Sequence, residues 1–225
     1  NLFLIRLSMI YKEEIAFKMA ELLLKIKAVK INVDNPFTWA SGLRSPIYCD
    51  NRITLSYHTI RTFIRQQFSA IIKEEFGNIN LIAGVATAGI PHGVLVAENL
   101  GLPFAYVRSS KKDHGLGNEI EGIIETGQSV IMIEDLISTG GSSLNAVNVV
   151  KEKGGMVKGL LAIFSYGFQS AEEKFVAADC KMFTLTDYPS LLEFALENDY
   201  IRKTDLPILK KWREDPENWY LEIKN

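Results

Sequence analysis

Cysteine is nearly absent: Cys49 and Cys180 are the only two in 225 residues, and they lie far apart. The pair argues against a disulfide framework and for small core residues in a reducing compartment, so the cytoplasm is the expected location. No apolar run reaches the length that crosses a bilayer. The apolar stretch at residues 2–5 is short and lacks both a charged beginning and a small-residue cleavage site, so it is not read as a signal peptide, and Met9 is an alternative natural start. An excess of one charge is missing too. Twenty-five Lys and Arg against 27 Asp and Glu leave a net charge of −2, which offers no nucleic-acid or membrane surface over the whole molecule. Internal repeats and low-complexity segments are likewise absent.

What the chain has is length and rhythm. It is long enough for one large α/β domain, or a core with a small appendage, and can bury most of its apolar surface without cross-links. Helical periodicity runs from Ile10 to Val29, and Ser56 caps a second long helix to Phe76. Short strands at Ile31, at 37–40 and at 47–49 are broken by Pro36, Gly42 and Pro46. From there buried strands alternate with helices. The strands are 81–85, 104–108, 130–133, 157–165 and 182–185. The helices are 89–99 and 142–153, with others near Ala171 and Ser190. That alternation predicts a mainly parallel sheet flanked by helices, with ligands at the carboxyl ends of the strands. The chain divides into an N-terminal part over 1–55, an α/β core over 56–200 and a C-terminal helix and tail over 201–225.

One stretch concentrates the chemistry. Val130 to Ile133 ends in Glu134 and Asp135, followed by Leu136, Ile137 and the turn Ser138-Thr139-Gly140-Gly141-Ser142 before a helix. Glycines and capping hydroxyls are common in such turns. Two adjacent carboxylates at a strand mouth are not, because they repel unless a hydroxyl-rich or cationic ligand sits there. A sugar phosphate fits: the helix N-terminus holds the phosphate, and the acids reach ribose hydroxyls or a magnesium ion. A second turn, Thr87-Ala88-Gly89, is rich in small residues and can bring backbone close to another anion. Between two strands, Ser109 to Asn118 forms a polar insertion that carries Lys111, Lys112 and His114 behind Arg108. It is read as a cationic lid over the phosphate site.

At these residues the chain resembles the type I phosphoribosyltransferase family. Residues 130–143 resemble its phosphoribosyl pyrophosphate (PRPP) motif. Residues 37–52 resemble the N-terminal hood of the orotate-accepting branch, and Arg108 with Lys112-Asp113-His114-Gly115 resembles that branch's catalytic loop. The resemblance implies a small N-terminal hood on an α/β core. It implies PRPP contacts from Arg108, Lys112, His114, Glu134, Asp135, Leu136, Ile137, Ser138, Thr139, Gly140, Gly141 and Ser142, with Thr87, Ala88 and Gly89 on the pyrophosphate side. Ser138 would face orotate. Lys112, His114 and Asp135 would be catalytic. Mg2+ would be held through PRPP and water rather than by direct protein ligands. A homodimer would share its loops across the interface.

The implied reaction moves the phosphoribosyl group from PRPP to orotate, giving orotidine 5′-monophosphate and pyrophosphate, in UMP synthesis. Departures from the pattern of some relatives stand at Ser109, Ala40, Ala88 and residues 164–167, where those relatives carry basic residues. The partner of the orotate carboxylate stays open between Arg52 and Arg44. The proton donor stays open between Lys112 and His114, whose free pKa lies near 6.5. A purine phosphoribosyltransferase and a non-catalytic PRPP-binding regulator are the alternatives. His58 and His92 are read as surface or packing residues, Trp39 as hood packing, and Trp212 and Trp219 as anchors of the C-terminal segment.

Overall fold

The computed structural model describes residues 9–39, 41–108 and 119–220. The N-terminal part holds helix α1 (Glu13–Lys25) and four short strands, β1 (Val29–Ile31), β2 (Phe37–Thr38), β3 (Arg44–Ser45) and β4 (Ile47–Cys49). β1 pairs antiparallel with β4, and β2 with β3. A 3-10 turn, Asn51–Ser56, leads into α2 (His58–Ile71), which ends in a π turn, Ile72–Phe76. The helix expected over 56–76 is therefore a composite. Its N-cap is Tyr57, without a side-chain cap bond. Ser56 belongs to the preceding turn, where Asp50 caps instead by accepting from Arg52 N–H.

The core follows as β5 (Leu81–Val85), α3 (Gly89–Leu100), β6 (Phe104–Val107), β7 (Ile120–Glu121), β8 (Ser129–Ile137), α4 (Gly141–Glu152), β9 (Met156–Ser165), α5 (Gln169–Ala177), β10 (Met182–Asp187) and α6 (Tyr188–Glu197). The six-stranded sheet has the order β10-β9-β8-β5-β6-β7. Every pairing is parallel except β6 with β7. β5 is buried along its whole length, as are the first six residues of β8 and the last seven of β9. Burial of consecutive residues means that both faces of the sheet are covered, which is why these strands read as unbroken apolar runs. No helix among the described residues is long and apolar enough to cross a membrane.

Helix α7 (Leu206–Glu214) folds back on the hood. Trp212 is fully buried. Its ring centroid lies 5.8 Å from Trp39, 5.5 Å from Tyr166, 5.5 Å from Phe168 and 5.2 Å from Tyr188. Trp219 donates its indole N–H to Arg44 O at 3.0 Å. Large aromatic surfaces dominate local packing energy, so the three tryptophans tie tail, hood and β9 into one cluster. Trp39 packs there as expected, and Trp212 and Trp219 are the anchors the sequence suggests.

His92 of α3 is a buried packing residue. Its Nε2 lies 3.3 Å from Thr54 Oγ1, while Nδ1 is buried without a partner. Burial, and then the charge of Arg61, pull its pKa down to about 4. The folded state therefore keeps His92 neutral, whereas the unfolded chain protonates it below about 6.5. Stability from this residue is complete above that value and is lost as pH falls toward 4, by up to about 3 kcal/mol. Denaturant unfolding between pH 7 and pH 4.5 should show this slope, and His92→Gln should flatten it. An unchanged slope in the variant would remove His92 as the cause.

Candidate active site

β8 corrects one expectation. The strand does not stop at Ile133 but runs to Ile137. The apolar pair Leu136 and Ile137 carries it on, and Leu136 and Ile137 pair with Phe164 and Ser165 of β9. Glu134 and Asp135 thus sit inside the strand. Neighbouring strand residues point to opposite faces, so the two acids have different surroundings.

Glu134 is buried, and both its oxygens are engaged. Ser143 Oγ donates to Oε2 at 3.0 Å, and Asp135 N–H donates to Oε1 at 3.0 Å. It fastens β8 to the first turn of α4. Burial, and then the Asp135 charge, push its carboxyl well above the usual range. Asp135 is half-buried on the hood side. Burial raises its carboxyl too, against the lowering effect of its hydrogen bond with Glu134 and the charge of Arg52. Its backbone oxygen accepts from Asn51 Nδ2 at 2.7 Å. Asn51 is itself fully buried, so the 3-10 turn of the hood is bolted to the acid pair. Sequence reading missed Asn51, since an asparagine between Asp50 and Arg52 carries no periodic signal and only the fold brings it to Asp135.

Past Ile137 the chain turns through Ser138, Thr139 and Gly140. Gly140 is the N-cap of α4 with φ 75°, where a Cβ would stand 3.0 Å from Phe175. The left-handed backbone and this contact both require glycine. α4 has no side-chain cap and no acid in its first turn. A Cβ at Gly141 would meet nothing within 4 Å, so the first residue of the helix stands in open space. An uncapped helix N-terminus with a positive dipole end suits an anion. Lys174 Nζ donates to Thr139 O at 3.2 Å and steadies the turn. Ile137 differs from its neighbours: its side chain is fully buried, and its oxygen accepts from Tyr166 N–H at 3.0 Å.

The second small-residue turn lies alongside. α3 also lacks a side-chain cap at Ala88. A Cβ on Gly89 would fall 2.3 Å from Ile133 O and 3.3 Å from Glu134 Cα. The start of α3 therefore abuts β8 at the acid pair, and two uncapped helix N-termini flank it. Gly89→Ala must push these backbones apart. We expect a loss of about 2 kcal/mol in urea unfolding and weaker PRPP binding by calorimetry. Wild-type values for both would show that this approach is not required.

Ser138 and Thr139 border a cavity of about 880 Å3, whose wall also includes Trp39, Gly167, Phe168 and Arg213. Arg52 is committed to Asp50, donating to both carboxylate oxygens at 2.7 and 2.9 Å. Arg44 donates to Thr38 Oγ1 at 2.8 Å and lies over the Tyr220 ring at 4.9 Å. Arg108 pairs with Glu121 at 3.4 Å, and its Nε is buried without a partner. Lys112 and His114, with the rest of the expected lid, lie outside the described residues. Among those described, no group of three or more His, Cys, Asp or Glu gathers to hold a metal.

Comparison with known proteins bears on this geometry. A family model described as the phosphoribosyl transferase domain matches residues 56–187. The orotate phosphoribosyltransferase of Phocaeicola vulgatus is 55% identical over 200 residues, covering 89% of this chain and 94% of that protein. The enzyme of the same name from Lactococcus lactis is 52% identical over 197 residues, covering 88% of this chain and 94% of its own. The crystal structure of orotate phosphoribosyltransferase from Aeropyrum pernix superposes with a TM-score of 0.70 at 25% identity, over 82% of this chain and 99% of that one.

Proposed function

The chain belongs to the orotate phosphoribosyltransferases, and on that footing we propose that it transfers the phosphoribosyl group of PRPP to orotate, releasing pyrophosphate and forming orotidine 5′-monophosphate for UMP synthesis. The observation that carries this reading is the uncapped N-terminus of α4, tied to the acid pair through Ser143 and Glu134 and preceded by the turn whose Ser138 and Thr139 wall a cavity. The backbone N–H groups of Thr139 to Ser142 receive the 5-phosphate. Asp135, whose carboxylate is the less engaged of the two acids, takes the ribose hydroxyls. Glu134 contributes to the same pair while holding α4 in place. Leu136 and Ile137 contribute through backbone and packing, since Ile137 offers no exposed side chain. Thr87, Ala88 and Gly89 line the pyrophosphate side.

Loss of pyrophosphate from C1 leaves oxocarbenium character on the sugar, as in glycoside cleavage. The chain's own residues meet both charges. Asp135 steadies the ribose and sets a negative field under the cationic carbon. Arg108, Lys112 and His114 gather round the departing pyrophosphate, and Lys112 or His114 gives it a proton. Ser138 faces orotate, with Arg52 beside it from the hood. Mg2+ would be held through PRPP oxygens and water, beside the adjacent acids Glu134 and Asp135. When bound, the ion neutralises the leaving group. The protein acts in the cytoplasm as a homodimer whose loops cross the interface. Relatives above half identity that share one name favour this over a purine-accepting enzyme.

The test is the loss of orotate absorbance with PRPP and Mg2+ present, with adenine and hypoxanthine as alternative acceptors. Turnover of orotate alone is expected. Preference for a purine, or no turnover of any base, would overturn the reading.

A further inference from the structure

Orotate brings a carboxylate, and a carboxylate leaving water needs a cation not already paired. The hood arginines do not meet that need where Ser138 stands. Arg52 is held by both oxygens of Asp50, and Arg44 bonds Thr38 and lies over the Tyr220 face; neither belongs to the wall of the cavity that Ser138 borders. Arg213 is different. It lies in the last turn of α7 and borders the same cavity as Ser138 and Thr139. It has no ion pair among the described residues. We propose that Arg213 receives the orotate carboxylate and so selects orotate over bases that lack it. This rests on the function proposed above.

Its placement is built rather than incidental. The preceding residue, Trp212, is fully buried among Trp39, Tyr166, Phe168 and Tyr188. Tyr188 adds a hydrogen bond from its hydroxyl to Leu209 O at 3.0 Å. α7 is therefore fixed, and Arg213 follows Trp212 onto the cavity wall. The turn after β9 lies beside it. Gly167 has φ 63°, and a Cβ there would stand 3.9 Å from Arg213 Nη1.

Acids share the wall. Asp215 is engaged, accepting from Asn218 N–H and Nδ2 at 3.2 and 3.1 Å. Glu214 and Glu217 are exposed at the cavity rim. Their charge opposes an anionic base, and a guanidinium among them is what makes the cavity hospitable to one. Arg also suits a planar carboxylate better than Lys, because it can bind both oxygens at once.

The experiment uses the full chain with orotate, PRPP and Mg2+, comparing Arg213→Gln, Arg213→Lys and Arg44→Gln with wild type. Arg213→Gln should raise the orotate KM at least tenfold and leave the PRPP KM within about twofold. Arg213→Lys should recover part of the loss, and Arg44→Gln should leave the orotate KM unchanged. A structural role for Arg213 would instead raise both KM values, or lower Tm, without rescue by lysine, and would overturn the proposal. So would an unchanged orotate KM in folded Arg213→Gln, or the effect appearing at Arg44 instead. If Arg213→Gln does not fold, Arg213→Lys alone decides, by whether the orotate KM rises without the PRPP KM. Wild type that turns over no orotate fails the assigned reaction itself, and this inference falls with it. Wild-type turnover with an indifferent Arg213 fails only the inference.

Discussion

Asp135→Asn should lower turnover of orotate with PRPP by about a hundredfold, while the protein should unfold at the same temperature as wild type or higher. A loss of that size corresponds to about 2.7 kcal/mol of transition-state stabilisation, within the range for one charged group facing the reacting centre. The opposite sign of the stability change follows from the site. Burial raises the carboxyls of both Glu134 and Asp135 above their unfolded values. In that case the folded state holds protons that the unfolded chain has released. Stability then falls as pH rises past the ordinary carboxylate range. Replacing one of the two like charges with an amide removes that cost. Asparagine keeps the backbone carbonyl that Asn51 binds at 2.7 Å, so the hood stays attached. Steady-state rates at saturating substrates, with melting curves at pH 6 and pH 8, check both halves. A near-normal rate would remove Asp135 from the chemistry. A sharp fall in melting temperature would show that its charge supports the fold.

The second large effect concerns assembly. If each active site combines one subunit's core with its partner's loop, two inactive proteins can restore each other. One carries Arg108→Ala, Lys112→Ala and His114→Ala. The other carries Asp135→Asn. Each homodimer lacks an essential part at both sites. In a mixed dimer, one site joins the intact core of the first chain to the intact loop of the second, and the other site has both defects. Random exchange makes about half the dimers mixed, so activity should return to about a quarter of wild type. Mass spectrometry of differently tagged chains confirms that exchange took place. If mixed dimers form and activity stays at the level of the parents, the loop serves its own subunit.

Much of this architecture was legible because buried parallel strands are monotonous. β5 and β9 announce themselves as apolar runs, and α3 is legible to within one residue, Asn99 against Leu100. β8 was cut short for a chemical reason. Two carboxylates look like the end of a buried strand, and nothing local says that one of them will be satisfied by Ser143 from the next helix. The motif's turn was legible because glycine and hydroxyl residues have few other uses at that density. Asn51 and Arg213 were not. Each acts through a contact between distant parts of the chain, across 84 residues for Asn51 and Asp135. No period or spacing encodes such a meeting. The tail tryptophans could be recognised as anchors, but not what they anchor.

The missing side chain at Gly89 has one more consequence. The start of α3 rests on β8 with only a backbone hydrogen in the gap, since a Cβ there would fall 2.3 Å from Ile133 O. The separation of the start of α3 from β8 is thereby set by main chain alone. Most distances in a binding site drift as side chains are exchanged, but this one has no side chain in it to exchange. Under the proposed function it would act as a fixed gauge for the pyrophosphate end of the ligand. Acceptor preference can evolve in the hood and the C-terminal helix without disturbing that gauge.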